Sequence, residues 1–245
     1  LRRQPVLAET ITRVHARTLR MMRTTAQGAG ASHTTIGITD LMTSLAVVFI
    51  LLFAAQITKT SSAAQSELQD NREDVQTALQ DHIQRLGLSL DADPRDPLAL
   101  LIVVPENKLT FEFGRSTLSS TADEFLVEAL PFYVGALCGP LRDKIDSLAI
   151  EGHTDDHGSD ALNLKLSQER SLAVMVKGME IIQTKEPSAY QCFQEITSAT
   201  GRGRQDLIYD AATIVNREKS RRVIFKIRLR SAEQRHRLNR PTKSL

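Results

Sequence analysis

The stretch from Glu151 to Ser171, EGHTDDHGSDALNLKLSQERS, concentrates the residues whose types and spacing could do chemistry. A short apolar run ends at Glu151, a loop then presents Thr154 and Asp155, and a helical pattern follows. Within that helix Asn163, Ser167 and Arg170 fall at i, i+4 and i+7 and so share one face. A carboxylate on a loop is thereby set beside a guanidinium on a helix. A zwitterionic amino-acid ligand suits such a pair, its ammonium on Asp155 and its carboxylate held by Arg170 through two parallel bonds. The same two side chains could instead pair with each other and pin loop to helix, and spacing alone leaves both readings open. His153, Asp155, Asp156 and His157 offer metal-type donors. Neighbouring side chains on one loop are expected to splay apart, and a catalytic metal needs further convergent ligands, so no metal site is expected. No serine or cysteine nucleophile pattern is recognisable.

A second chemical feature is Asp40, the one charged residue between Ile36 and Ile57 (IGITDLMTSLAVVFILLFAAQI). At about 1.5 Å per residue that run reaches roughly 33 Å, enough for a bilayer core. A carboxylate at a membrane helix is costly and by default suggests function. If the helix begins at Asp40, the residue is an ordinary N-cap, and Leu41–Ile57 would be about 17 residues, the short limit for spanning. Both readings stand. Arg2, Arg3, Arg13, Arg17, Arg20 and Arg23 precede the run against one acid, Glu9, which places the N-terminus in the cytoplasm and the rest outside. The rival is a cleaved signal peptide processed at FAAQ or SSAAQ. The long preceding region and the aspartate speak against it.

The elements that must position these residues follow from periodicity. The chain of 245 residues divides into a basic tail (1–35), a transmembrane helix (36–57), a helical spacer and linker (58–97), an α/β domain (98–231) and a basic tail (232–245). In the spacer Leu68, Val75, Leu79, Ile83 and Leu86 form a thin apolar stripe. Such a helix buries little alone and is expected to pair with a second copy or a partner. Gly and Pro in GLSLDADPRDP mark the linker. Strands are expected at Leu98–Val104, Lys108–Phe113, Ser147–Glu151 and Glu195–Thr200. Helices are expected at Thr121–Cys138, interrupted by Pro131, and at Leu162–Ile182. Val223–Leu229 alternates with period two, Val223, Phe225, Ile227 and Leu229 facing inward and Ile224, Lys226 and Arg228 outward. Strands alternating with helices indicate one layered α/β unit. Cys138 and Cys192 are a candidate disulfide if the domain meets an oxidising compartment, and otherwise two buried thiols. Net charge is +2, Trp is absent and aromatics are 4%, which argues against a stacking platform for bases or sugars. The arginines of the C-terminal third read as a solvated strand face, so no nucleic-acid partner is expected.

The runs IEGHTDDHG…LNLKLSQERS and NREKSRRV, with FEFGRSTLSSTA at 111–122, resemble the OmpA C-terminal domain family over roughly residues 98–230. Ser171 stands where that family usually has Ala, and SATGRGRQDLIYDAAT (198–213) replaces a commoner glycine-rich, proline-containing stretch. The resemblance implies a mixed α/β sandwich. It also implies that Asp155 and Arg170 bind the diaminopimelate of peptidoglycan, supported by Asn163, Arg221 and Arg222. The run ITDLMTSLAVVFILLF resembles the single helix of MotB-like stator subunits. This implies that Asp40 carries H⁺ or Na⁺, with Thr43 and Ser44 in the polar part of the helix, and that the chain, as a homodimer, drives a pentameric, multi-spanning MotA-like partner. Such a chain sits in the inner membrane with its C-terminal domain in the periplasm, and is no enzyme and holds no cofactor. The short chain and the NLKLSQERS…SRRV spacing resemble the B subunit of the Zorya anti-phage motor more than flagellar MotB. A passive envelope anchor, with Asp40 only a cap, is the rival. An enzymatic use of the His–Asp loop has little support.

Overall fold

A computed structural model describes residues 32–112, 114–211, 213–231 and 234, with side chains from residue 41 onward. The two basic tails assigned from sequence therefore lie largely outside the described residues. The chain divides into two units, residues 1–62 and 63–245.

In the first unit helix α1 (Ser32–Arg85) begins. Its apolar run has hydropathy 2.2 and none of it is buried, so Leu45, Phe49, Leu52 and Phe53 face outward, and by length and composition the helix is a candidate membrane span. The helix starts at Ser32, so the backbone of Asp40 lies inside it rather than at its N-cap.

The second unit is a five-stranded sheet with helices packed on it. Its strands are β1 (Leu90–Ala92), β2 (Ala99–Pro105), β3 (Ile145–His153), β4 (Thr197–Gly203) and β5 (Arg222–Leu229), in the order β1-β2-β5-β3-β4. β3 and β4 are parallel and the other pairs antiparallel. The helices are α2 (Ser120–Cys138), α3 (Asp160–Lys185), α4 (Tyr190–Ile196) and the single turn α5 (Arg217–Ser220). The inward set of β5 meets Leu100, Ile102, Ile150 and the buried faces of α2 and α3 in one core.

Several expectations change here. The spacer stripe does not wait for a partner: Val75, Leu79, Ile83 and Leu86 belong to the same core as the sheet. Arg72 donates to the Pro97 carbonyl and Lys144 pairs with Asp74, anchoring the exposed side of that helix. The linker supplies edge strand β1, and its turn places Asp93 and Asp96 against Lys226 and Asp96 against Arg228. The outer face of β5 is thus ion-paired rather than merely solvated. Where a strand was expected at Lys108–Phe113, the described residues 108–112 form none. Leu109 returns its N–H to the Pro105 carbonyl and Phe111 makes only an isolated bridge to Leu118, so Leu109 and Phe111 enter the core from a turn. Pro131 does not interrupt α2. The bond it cannot donate would go to Val127, which is 42% exposed, so water can serve that carbonyl. Cys138, at the end of α2, is joined to Cys192 in α4 by a disulfide.

Candidate functional site

Strand register converges the site residues before any side chain is considered. β5 pairs antiparallel with both β2 and β3, with Pro105 and His153 each opposite Arg222. The next residue of each chain segment therefore lies at the same end of the sheet: Glu106 after β2, Thr154 and Asp155 after β3, and Arg221 before β5. Helix α3 covers that end. It can approach because Gly152 and Gly201 lack side chains: a Cβ on Gly152 would strike the Ser167 carbonyl, and one on Gly201 the Gln168 backbone. Ser167 Oγ accepts from Gly203 N at 2.8 Å, and the Gln168 amide group brackets β4 through Gly201 N and the Ala199 carbonyl. Gly158, at φ +86°, turns the loop into the Ser159 N-cap of α3 in a conformation that favours glycine.

The result is a cleft of about 670 Å³ lined by Glu106, Phe111, Gly114, Thr154, Asp155, His157, Asn163, Leu166, Arg170 and Arg221. That volume suits a small ligand. Asp155 is nearly buried; it accepts from His157 N at 3.0 Å and from Arg221 Nη1 at 2.7 Å. Burial pushes its carboxyl up, but the Arg221 bond, the His157 amide and the nearby positive charge outweigh that and hold it below the usual carboxylate range. Arg221 also donates through Nε to Glu106, so one guanidinium joins two acids. Asn163 Nδ2 donates to the His157 carbonyl at 2.7 Å and fixes the loop.

Arg170 is also nearly buried. Its Nε donates to the Arg115 carbonyl at 3.0 Å and its guanidinium sits 4.9 Å over the Phe111 ring. Burial lowers its pKa, with the charges of Glu106 and Asp155 opposing and that of Arg221 adding, yet a guanidinium stays charged. Among the described residues no carboxylate forms an ion pair with it, so the Asp155–Arg170 bridge is not the arrangement adopted. Thr154 Oγ1 is buried at the cleft and has no hydrogen-bond partner among the described residues.

Arg222 is not in that lining but borders a small adjoining cavity with Glu106, Phe111, Arg170 and Arg221. It donates to the carbonyls of Ser220 and Asp206, both at 3.0 Å, and braces the turn after β4. Asp155, Asp156 and His157 do not splay as expected: their donor atoms lie within 4.8 Å of one another. Both carboxylates are nevertheless committed to arginines, Asp155 to Arg221 and Asp156 to Arg217 Nε at 2.7 Å, which sets positive charge where a cation would sit. His153 turns away, its Nδ1 at 3.2 Å from the Gln205 carbonyl. Glu106 and Phe111 were missed as site residues. The signal for Glu106 was the register of β2 on β5, which a single sequence does not display, whereas Phe111 opens the FEFGRSTLSSTA run.

Residues 110–221 match the OmpA family model. No curated protein matches the chain. A MotB-like protein from Desulfovibrio vulgaris has the same fold, with TM-score 0.50 and 22% identity over 68% of this chain and 96% of that one. The periplasmic domain of Helicobacter pylori MotB aligns with TM-score 0.45 and 17% identity over 62% and 86% of the two chains. The cell wall anchor of the T6SS from Pseudomonas aeruginosa aligns with TM-score 0.42 and 18% identity over 64% and 97%. The mixed α/β, OmpA-like architecture expected from the sequence is the one observed.

Proposed function

We propose, proceeding from the OmpA-family domain and the apolar helix before it, that the chain is the wall-anchored subunit of an ion-driven stator. It crosses the inner membrane once, N-terminus inside, and binds peptidoglycan in the periplasm. The observation that carries the wall-binding half is the cleft in which Asp155 and Arg170 present opposite charges without bonding each other. A diaminopimelate head group fits this arrangement: ammonium toward Asp155, carboxylate toward Arg170, with the unpartnered Thr154 hydroxyl between loop and ligand. The Cys138–Cys192 disulfide supports a domain exposed to an oxidising compartment. Nothing in this arrangement calls for an enzyme. The domain holds its ligand while force is applied.

The motor half rests on Asp40. Since α1 starts at Ser32, Asp40 does not have the N-cap position that would give it a merely local use. A carboxylate inside a membrane helix is then an ion carrier for H⁺ or Na⁺, working against a MotA-like partner in a complex that contains a second copy of this chain. On the resemblance of the C-terminal motif spacing, the machine driven is an anti-phage motor.

Two measurements test this. Asp155→Ala and Arg170→Ala, each verified as folded, should lose co-sedimentation with purified peptidoglycan. A charge-assisted bond is worth about 1.5–3 kcal/mol, roughly tenfold or more in affinity. Unchanged sedimentation of both variants would exclude the cleft. Asp40→Asn should abolish phage resistance, or motility where the operon supports it, while membrane level and wall binding persist. Full activity of that variant would leave the passive anchor standing.

A further inference from the structure

The ammonium site on Asp155 is not empty. Its Oδ2 already accepts from Arg221 Nη1 at 2.7 Å, and its Oδ1 from His157 N at 3.0 Å. A ligand ammonium must therefore compete with a guanidinium that is always charged. That competition is tolerable only if Arg221 has somewhere else to be held. Glu106 provides it, receiving Arg221 Nε from the opposite side, and the β2–β5 register fixes its place. The cleft holds two acids, Glu106 and Asp155, and two guanidiniums, Arg170 and Arg221, so it is balanced before a ligand enters.

We infer that Glu106 is a positioning residue and that Arg221 is an exchangeable latch. A ligand ammonium replaces the Nη1 bond of Arg221 on Asp155, while Glu106 retains the displaced guanidinium in the cleft. There it stands with Arg170 as a second cation for the ligand's carboxylate. The site is thereby selective for a net-neutral, zwitterionic head group. A plain amine would displace the latch without giving the two cations an anion. A plain carboxylate could not displace it from Asp155. Without Glu106, Arg221 would have Asp155 as its sole carboxylate, the latch would stay shut and the ligand's ammonium would contribute nothing.

This inference rests on the wall-binding reading, and one experiment separates the two. Full-length chain in nanodiscs is titrated calorimetrically with a diaminopimelate-containing muropeptide and with the same muropeptide acetylated on its free side-chain amine. For the wild type, acetylation should weaken binding about tenfold or more, the worth of one charge-assisted bond. For Glu106→Gln the penalty should shrink to about twofold or less, because its affinity for the free amine falls toward that for the acetylated probe. Glu106→Asp, which keeps the charge with a shorter reach, should retain an intermediate penalty, and it serves in place of Glu106→Gln should that variant not fold. A wild type that binds neither probe overturns the wall-binding reading and the latch together. A wild-type acetylation penalty that persists unchanged in the Glu106 variants overturns the latch alone.

Discussion

Leu79 decides whether the spacer helix belongs to the domain or waits for a partner. Its side chain is fully buried, between Val75 one turn before and Ile83 one turn after, in the cluster that also contains Leu130, Tyr133 and Leu137. Truncation to Ala removes three buried carbons and leaves a cavity within that cluster. Buried Leu→Ala changes cost about 2–5 kcal/mol, the upper end where the walls cannot collapse. For a unit of this size each kcal/mol lowers Tm by about 2–4 °C, so a loss of roughly 4–20 °C is expected. The assay is thermal unfolding of the detergent-solubilised chain by near-UV circular dichroism, which reads the buried Tyr133. Gln80→Ala, one residue along on the exposed side, is the control and should shift Tm by no more than about 2 °C. Leu79→Ala matching Gln80→Ala would refute the packing argument.

Cys192→Ser should destabilise the domain by about 4 kcal/mol, from the loop entropy of a bridge spanning 54 residues, and dithiothreitol should lower wild-type Tm to a similar level while leaving the variant unmoved. Acid should also destabilise it: burial pushes the Asp93 and Asp155 carboxyls up, but the bonds from Lys226 and Arg221 more than offset this and leave both below the ordinary value. The unfolded chain then binds more protons, so this stability is fully present above the ordinary carboxylate pKa near about 4 and is lost as pH falls through the lowered folded values. Urea midpoints measured from pH 6 to pH 3 should fall steeply at the acid end, less so in Asp93→Asn, and a flat profile would contradict the ion-pair assignment.

The parts of the fold legible in the sequence are those whose signal is local. The alternation of Val223–Leu229 requires a strand whatever its neighbours, and the helical recurrence of Asn163, Ser167 and Arg170 requires one face whatever covers it. The places where reading failed depend on contacts across the chain. Leu109 and Phe111 alternate like a strand, yet their backbone turns back on Pro105, and the alternation records only that both reach the core. The spacer stripe is narrow because the sheet and α2 supply the remainder of its apolar surroundings. Neither fact can be had from a window of a dozen residues. Glu106 is the sharpest case: PEN reads as an ordinary turn until β2 is laid antiparallel on β5, and then it stands against Arg221.

The central motif itself mixes two duties that a sequence cannot separate. Gly152, Ser167 and Gln168 set how closely α3 lies on β3 and β4; Asp155 and Arg170 use the space that results. A bulky residue at Ser167 would force α3 away from Gly203 and carry Arg170 with it. The proposed peptidoglycan binding would be lost although Ser167 does not line the cleft. Loss of binding is therefore informative only for side chains whose removal leaves the Ser167–Gly203 and Gln168–Gly201 bonds intact. Arg170 meets that condition, since its own bonds are to the Arg115 carbonyl and the Phe111 ring, away from the contact of helix on strand. Asp155 meets it less cleanly, because it also accepts the His157 amide that shapes the loop. Of the two charges, Arg170 is the one whose loss would read directly as loss of the proposed ligand contact.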